Sequence, residues 1–221
     1  MKKLTTLFFV ATAFTMSCSE GNRKNVRQGV EKHTVLSREE IQSRSFQELF
    51  QPIEAKDIPG DVFTHVGSDF TVITAGNPSR YNSMVASWGG WGILFGKPAT
   101  WCYLRSNRYT LEMMRKEQTY TMAYFNQEYK DDIMLFGAKS GRNTDKMKES
   151  KLTSVQTPSG SMAYKEARLI IECKLFEVTT VAPDDFYTEE GRKFIVDAHA
   201  ETGEYHKVVF GEIASVWLRK Q

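Results

Sequence analysis

Asn82-Ser83-Met84-Val85-Ala86-Ser87-Trp88-Gly89-Gly90-Trp91-Gly92 admits two readings, and the choice between them sets the fold class. As a strand followed by a phosphate-binding glycine loop, it would open a dinucleotide-binding unit, which needs a helix directly after the glycines. The next residues are Ile93-Leu94-Phe95-Gly96-Lys97-Pro98, closed by a proline and without helical period. The glycines therefore read as a turn that allows close backbone approach, and residues 83–88 as a strand of some other sheet.

From Pro52 onward the same pattern repeats, with short β-branched and aromatic runs separated by Gly, Asn and Pro. Strands are predicted at 70–75, 83–88, 100–104, 119–124, 167–180, 207–210 and 213–218. Helices are predicted at 111–117, 128–135, 144–150 and 184–193. Ser37-Arg38-Glu39-Glu40 has the form of a capping box and opens a short leading helix running toward Phe50. Many strands with few helices between them imply a mainly β (α+β) protein, an antiparallel barrel or sandwich with a few peripheral helices.

The 221 residues are 41% apolar, 12% aromatic and 25% charged, enough for one sizeable core. That excludes a wholly disordered chain and a multi-span membrane protein. The formal charge of +2 comes entirely from Lys2 and Lys3, since the rest of the chain carries 27 charges of each sign. Such balance does not suit a general nucleic-acid binder, which needs a clustered excess of Lys and Arg.

Lys2 and Lys3 precede an apolar run from Leu4 to Met16, then Ser17 and Cys18. A charged start, a short apolar stretch and a small residue before a break form an export signal over residues 1–17, too short for a comfortable membrane span. Thr15-Met16-Ser17-Cys18 resembles a bacterial lipobox, although Thr15 stands where Leu is usual. Lipidation of Cys18 and anchoring to the bacterial cell envelope are the expectation, and ordinary secretion is the alternative. Residues 18–56 then read as a polar tether plus the leading helix, and residues 57–221 as the folded domain. Cys102 and Cys173 both lie in apolar runs and read as buried thiols. His33, His65, His199 and His206 are scattered, with no metal-ligand spacing.

Two loops concentrate groups that hold anions. Arg105-Ser106-Asn107-Arg108-Tyr109-Thr110 joins a strand to a helix and combines two guanidiniums, two short hydroxyls and free helix-start amides. Ser140-Gly141-Arg142-Asn143-Thr144-Asp145-Lys146 repeats the arrangement. Either alone is more often a solvated loop, but both beside a Trp/Gly turn suit a bound phosphate and a flat ring. No Gly-x-Ser-x-Gly elbow is present, which weakens a secreted hydrolase. Asp131-Asp132 and Asp184-Asp185 are adjacent pairs that point apart and read as helix-end charges.

These blocks, together with Lys97-Pro98, Glu166-Ala167-Arg168-Leu169, Glu172-Cys173, His206 and Gly211-Glu212-Ile213, resemble the flavin reductase-like family, and more narrowly the flavoredoxin group. The resemblance runs from about Asp57 to Leu218. It implies an FMN-binding split β-barrel, usually a homodimer, in which Ala86, Ser87 and Trp88 contact the isoalloxazine. It likewise implies Arg105, Ser106, Arg108, Thr110 and Lys146 around the ribityl phosphate, with Ser140 and Gly141 in the second loop and His206 near the flavin. The implied activity passes electrons from NAD(P)H or a redox-protein partner through FMN, with the chemistry on the flavin and no protein nucleophile or metal. A non-enzymatic lipoprotein using the same barrel for ligand binding is the alternative.

Overall fold

A computed structural model describes residues 36–221; the leader, Cys18 and most of the tether lie outside the described residues. Seven strands form one antiparallel path in the order β3 (Arg80–Ala86), β2 (Thr71–Asn77), β6 (Thr119–Tyr124), β9 (Leu169–Thr180), β10 (His206–Arg219), β5 (Lys97–Arg105) and β4 (Gly89–Leu94). An eighth, β1 (Phe50–Ile53), pairs with the far half of β10. The hairpin of β7 (Ser154–Gln156) and β8 (Met162–Tyr164) stands apart from this path.

Period-two alternation explains how the sheet builds two cores. Ile73, Met122 and Ile171 face one cluster, and their neighbours Val72, Ala123 and Ile170 face the other. The first cluster is closed by Leu111, Met113 and Met114 of α3 (Tyr109–Glu117). The second takes in α1 (Arg38–Ser43), α2 (Phe46–Leu49) and α4 (Lys130–Ala138) through Ile41, Phe46, Leu49, Ile133 and Phe136. Among the described residues no helix is long and apolar enough to cross a membrane.

The Ser37 capping box forms as expected, but the leading helix breaks at Arg44, and a second box, Ser45 with Glu48, starts α2. The predicted strands 207–210 and 213–218 are one strand, β10, with register shifts at Phe210/Gly211 and between Ile213 and Ser215. The bulges bend it so that its first half pairs with β5 and its last residues with β1. A Cβ on Gly211 would lie 2.2 Å from the hydroxyl oxygen of Tyr120, which is buried and bonded to Thr100 at 3.0 Å.

The glycine stretch departs from expectation. Gly89–Leu94 is a strand, not a turn, paired with β5 from Gly89↔Cys102 to Leu94↔Lys97. A Cβ on Gly89 would sit 2.2 Å from the Trp101 carbonyl, and one on Gly90 2.8 Å from the Trp101 ring. The glycines are there because β5 and its tryptophan lie against this face, which is the close approach the sequence implied, made within a sheet. The actual reversal falls at Phe95–Gly96, both at positive φ. Cys102 and Cys173 are free and buried. Strand β10 runs between their strands, and two strand spacings, roughly 10 Å, exceed the reach of a disulfide.

Candidate functional site

β5 ends at Arg105, and a turn closed by the Arg108 amide on the Arg105 carbonyl (3.0 Å) leads into α3. Arg108 stands at the N-cap position and supplies no side-chain cap. The amides of Tyr109 and Thr110 make no hydrogen bond among the described residues, so first-turn donors and the positive end of the helix dipole are open. Arg38, Arg142 and Arg168 each meet a carboxylate. Arg105 and Arg108 meet none among the described residues. Burial, then the neighbouring Arg105, lowers the Arg108 guanidinium below its ordinary value.

Beside this turn lies a cavity of about 650 Å³ whose wall includes Arg80, Asn82, Tyr109, Gly141, Arg142 and Lys146. Its size suits a small molecule. The Tyr109 ring carries the guanidiniums of Arg80 and Arg142 at 5.4 and 5.0 Å from its centroid. Arg142 also pairs with Glu112 at 2.7 Å, but both partners are exposed and the pair is weak. Asn82 is buried and donates to Thr110 Oγ1 at 2.7 Å. Gly141 packs on the other side of that amide, where a Cβ would lie 2.0 Å from Asn82 Oδ1.

Lys146 opens the short helix α5 (Lys146–Glu149) yet is only 2% exposed. Its ammonium donates to the carbonyls of Phe136 (2.8 Å) and Lys139 (2.9 Å) at the end of α4, which leaves one N–H free. Burial, helped by Arg108, pushes it down to about 8. A buried cation with a like charge beside it and no carboxylate of its own is a place where an anion is stabilised.

A second group also lies within electrostatic reach of Arg108. Trp88, 43% exposed, sits between β3 and β4 with its ring centroid 5.0 Å from His206 and 6.0 Å from Phe194. His206 begins β10 opposite Arg105. Burial, then His199, Arg105 and Arg108, lowers it to about 4. Phe194 and His199 come from the connection 181–205, which carries α6 (Glu189–Asp197).

Of the residues singled out in the sequence, Gly141 and Lys146 line the cavity, with Thr110 buried behind it and bonded to Asn82, and Trp88, Arg105 and His206 lie at the aromatic end. Arg108 acts on both Lys146 and His206. Ser106 is occupied by Glu204 (2.5 Å). Ser87 and Ser140 are exposed, and Ala86 is buried at the end of β3. Asp132 and Asp184 are taken by Arg38 and Arg192, as helix-end charges should be. Arg80 and Phe194 join the site, and His199 stands behind it against His206, although sequence reasoning gives them no role; Asn82 and Tyr109 lie within the quoted blocks but are not among the predicted contacts. Asn82 opens the glycine-bearing stretch and carries a signal of its own there, but nothing local marks Arg80 or His199.

The flavin reductase like domain model matches residues 63–221. No curated sequence is significantly similar. Among solved structures, the chain is similar to an FMN-binding protein from Thermus thermophilus with bound p-hydroxybenzaldehyde (20% identity, 75% of this chain and 79% of that one, TM-score 0.53). It is similar also to the flavoredoxins of Methanosarcina acetivorans (18%, 76% and 77%, TM-score 0.52) and of Desulfovibrio vulgaris (Miyazaki F) (19%, 75% and 76%, TM-score 0.52). That likeness extends to the fold, a mainly antiparallel sheet with several helices of the split-barrel kind. With most of its length matched, from Phe63 to the last residue, this chain belongs to the flavin reductase like domain family.

Proposed function

We propose that the chain is an FMN-dependent oxidoreductase of the flavin reductase or flavoredoxin type. The observation that carries this reading is the set of cations that meet no carboxylate among the described residues, Arg105, Arg108 and Lys146, beside the open amides of α3. A phosphate dianion satisfies guanidinium, ammonium and helix-start amides together. Trp88, Tyr103 and His206 supply a wall for a planar ring, with His206 within electrostatic reach of Arg108. Bound FMN would supply hydride and electron transfer, so the protein needs to bind, orient and exclude, without a nucleophile of its own.

The electron donor on this reading is NAD(P)H or a reduced carrier protein. Export and lipidation at Cys18 would favour the carrier, because nicotinamides are scarce outside the cytoplasm. A homodimer is supported by apolar side chains left in solvent on the β4–β5 hairpin and β9: Ile93 (73% exposed), Phe95 (76%) and Phe176 (51%), with the two phenylalanine rings 5.7 Å apart. The test is the visible spectrum of the purified chain. Flavin absorbance, or its recovery on adding FMN, followed by bleaching under anaerobic NADH, NADPH or reduced carrier is expected. A colourless chain that takes up no FMN would refute the reading, and bound flavin that resists all three reductants would leave a ligand-binding protein.

A further inference from the structure

Two histidines seven residues apart are joined end to end beside the aromatic half of the site. His199, 4% exposed, comes just after α6 and has Nδ1 2.6 Å from the Ile195 carbonyl oxygen. A carbonyl only accepts, so His199 carries its proton on Nδ1. Its Nε2 lies 2.5 Å from Nδ1 of His206. With both rings neutral, the bridging proton must then sit on His206 Nδ1, because His199 has none left to give. His206 is held as the Nδ1–H tautomer, the reverse of the one free imidazole prefers in water. Its Nε2 is a bare lone pair with no hydrogen-bond partner among the described residues.

We propose that His199 and His206 form a two-imidazole proton acceptor that opens beside Trp88 and Arg108, serving a ligand with an acidic N–H or O–H. The proton leaves the ligand, whose bonding pair stays behind, and binds His206 Nε2. The bridging proton moves from His206 Nδ1 to His199 Nε2. His206 ends neutral as the Nε2–H tautomer, and the positive charge rests on His199. That destination is the favourable one. His206 faces Arg105 and Arg108, which oppose a charge there, whereas His199 lies at the carbonyl end of α6, where a cation is stabilised. The edge-on ring of Tyr205 lies against His199 at 5.3 Å. The flanking carboxylates, Asp197 and Glu204, are engaged by Lys193 and Ser106. On the flavin reading, from which the identity of the ligand is taken, the acceptor serves the protons that accompany flavin electrons; His199 is a positioning residue and His206 the group that meets the ligand.

The test has two arms. In the 15N-histidine-labelled chain, long-range 1H–15N spectra at pH 7 should show His206 protonated on Nδ1. His199→Phe should return it to Nε2–H, and His199→Gln, whose amide oxygen still accepts, should retain Nδ1–H. An Nε2–H His206 in the parent chain, or no change in His199→Phe, would overturn the proposal. With FMN loaded, His199→Gln should leave FMN affinity within twofold but slow indicator-detected proton exchange during flavin turnover at least tenfold, since acid–base groups contribute about 100-fold or more. An unaltered rate would overturn the relay. A chain that binds no FMN would remove the flavin as proton donor and refute the FMN-dependent function, while the tautomer arm still decides the dyad.

Discussion

Replacing Lys146 by Met separates a structural lysine from one retained for a ligand. Burial lowers its ammonium from 10.5 to about 8. At about 1.4 kcal/mol per tenfold change in proton affinity, this disfavours the charged form in the folded chain by about 3 kcal/mol. Methionine removes that penalty and keeps the volume, but the Phe136 and Lys139 carbonyls lose their donor, at about 1 kcal/mol each. The two effects nearly cancel, so urea unfolding of the ligand-free protein at pH 7 should move by no more than about 1–2 kcal/mol. FMN should lose one charge-assisted contact worth about 1.5–3 kcal/mol, a roughly 10- to 150-fold rise in Kd by flavin fluorescence, while riboflavin should change less than twofold.

The same lysine gives a pH signature. Its proton is bound more tightly in the unfolded chain, so the stability of the parent protein should rise between pH 8 and 10.5, and Lys146→Met should lack that rise. FMN affinity should fall as pH passes about 8 in the parent only. Equal losses for FMN and riboflavin, or collapse of the ligand-free variant by more than about 3 kcal/mol, would show that Lys146 is a helix-end fastener and that the phosphate argument is wrong.

Other substitutions probe the packing behind the site. Gly141→Ala places a Cβ 2.0 Å from Asn82 Oδ1 and should break the Asn82–Thr110 bond; thermal unfolding should register about 1–3 kcal/mol of destabilisation, with weaker FMN binding. Gly211→Ala drives a methyl into the Tyr120 hydroxyl and should destabilise by about 2–4 kcal/mol, partly restored by Tyr120→Phe in a double-mutant cycle. Burial raises both core thiols, Cys173 to about 12 with Thr100 and Tyr120 opposing. A thiol reagent at pH 8 should therefore label neither Cys102 nor Cys173 until denaturant is added; rapid labelling of the native protein would contradict the core as described.

Where one periodicity dominates, elements are legible along the chain. Strand β6 at Thr119–Tyr124 matches the predicted run in full, because no glycine, proline or asparagine interrupts it. β4 reads as a turn because three glycines in six residues signal one locally, and only Trp101 across the ladder, through its carbonyl at Gly89 and its ring at Gly90, explains them as strand residues. β10 reads as two strands for the same reason: a glycine that punctuates a chain looks identical to one that makes room for a distant tyrosine. The cation-bearing loops are visible as composition, but the inward turn of Lys146 depends on where α4 ends.

The antiparallel class and the family are written in the order of the residues, since these rest on side-chain period and on motifs read along the chain, whereas the division of the core between two faces of the sheet is not. Which charges stand unpaired and which histidines touch is a matter of the folded arrangement alone. Arg142 found Glu112, while Arg105 and Arg108 found no carboxylate among the described residues. His199 met His206 only because the connection 181–205 folds back over the start of β10. Electrostatics and hydrogen bonding act over a few ångströms in space, and the residues that become neighbours there are chosen by the packing of the whole sheet.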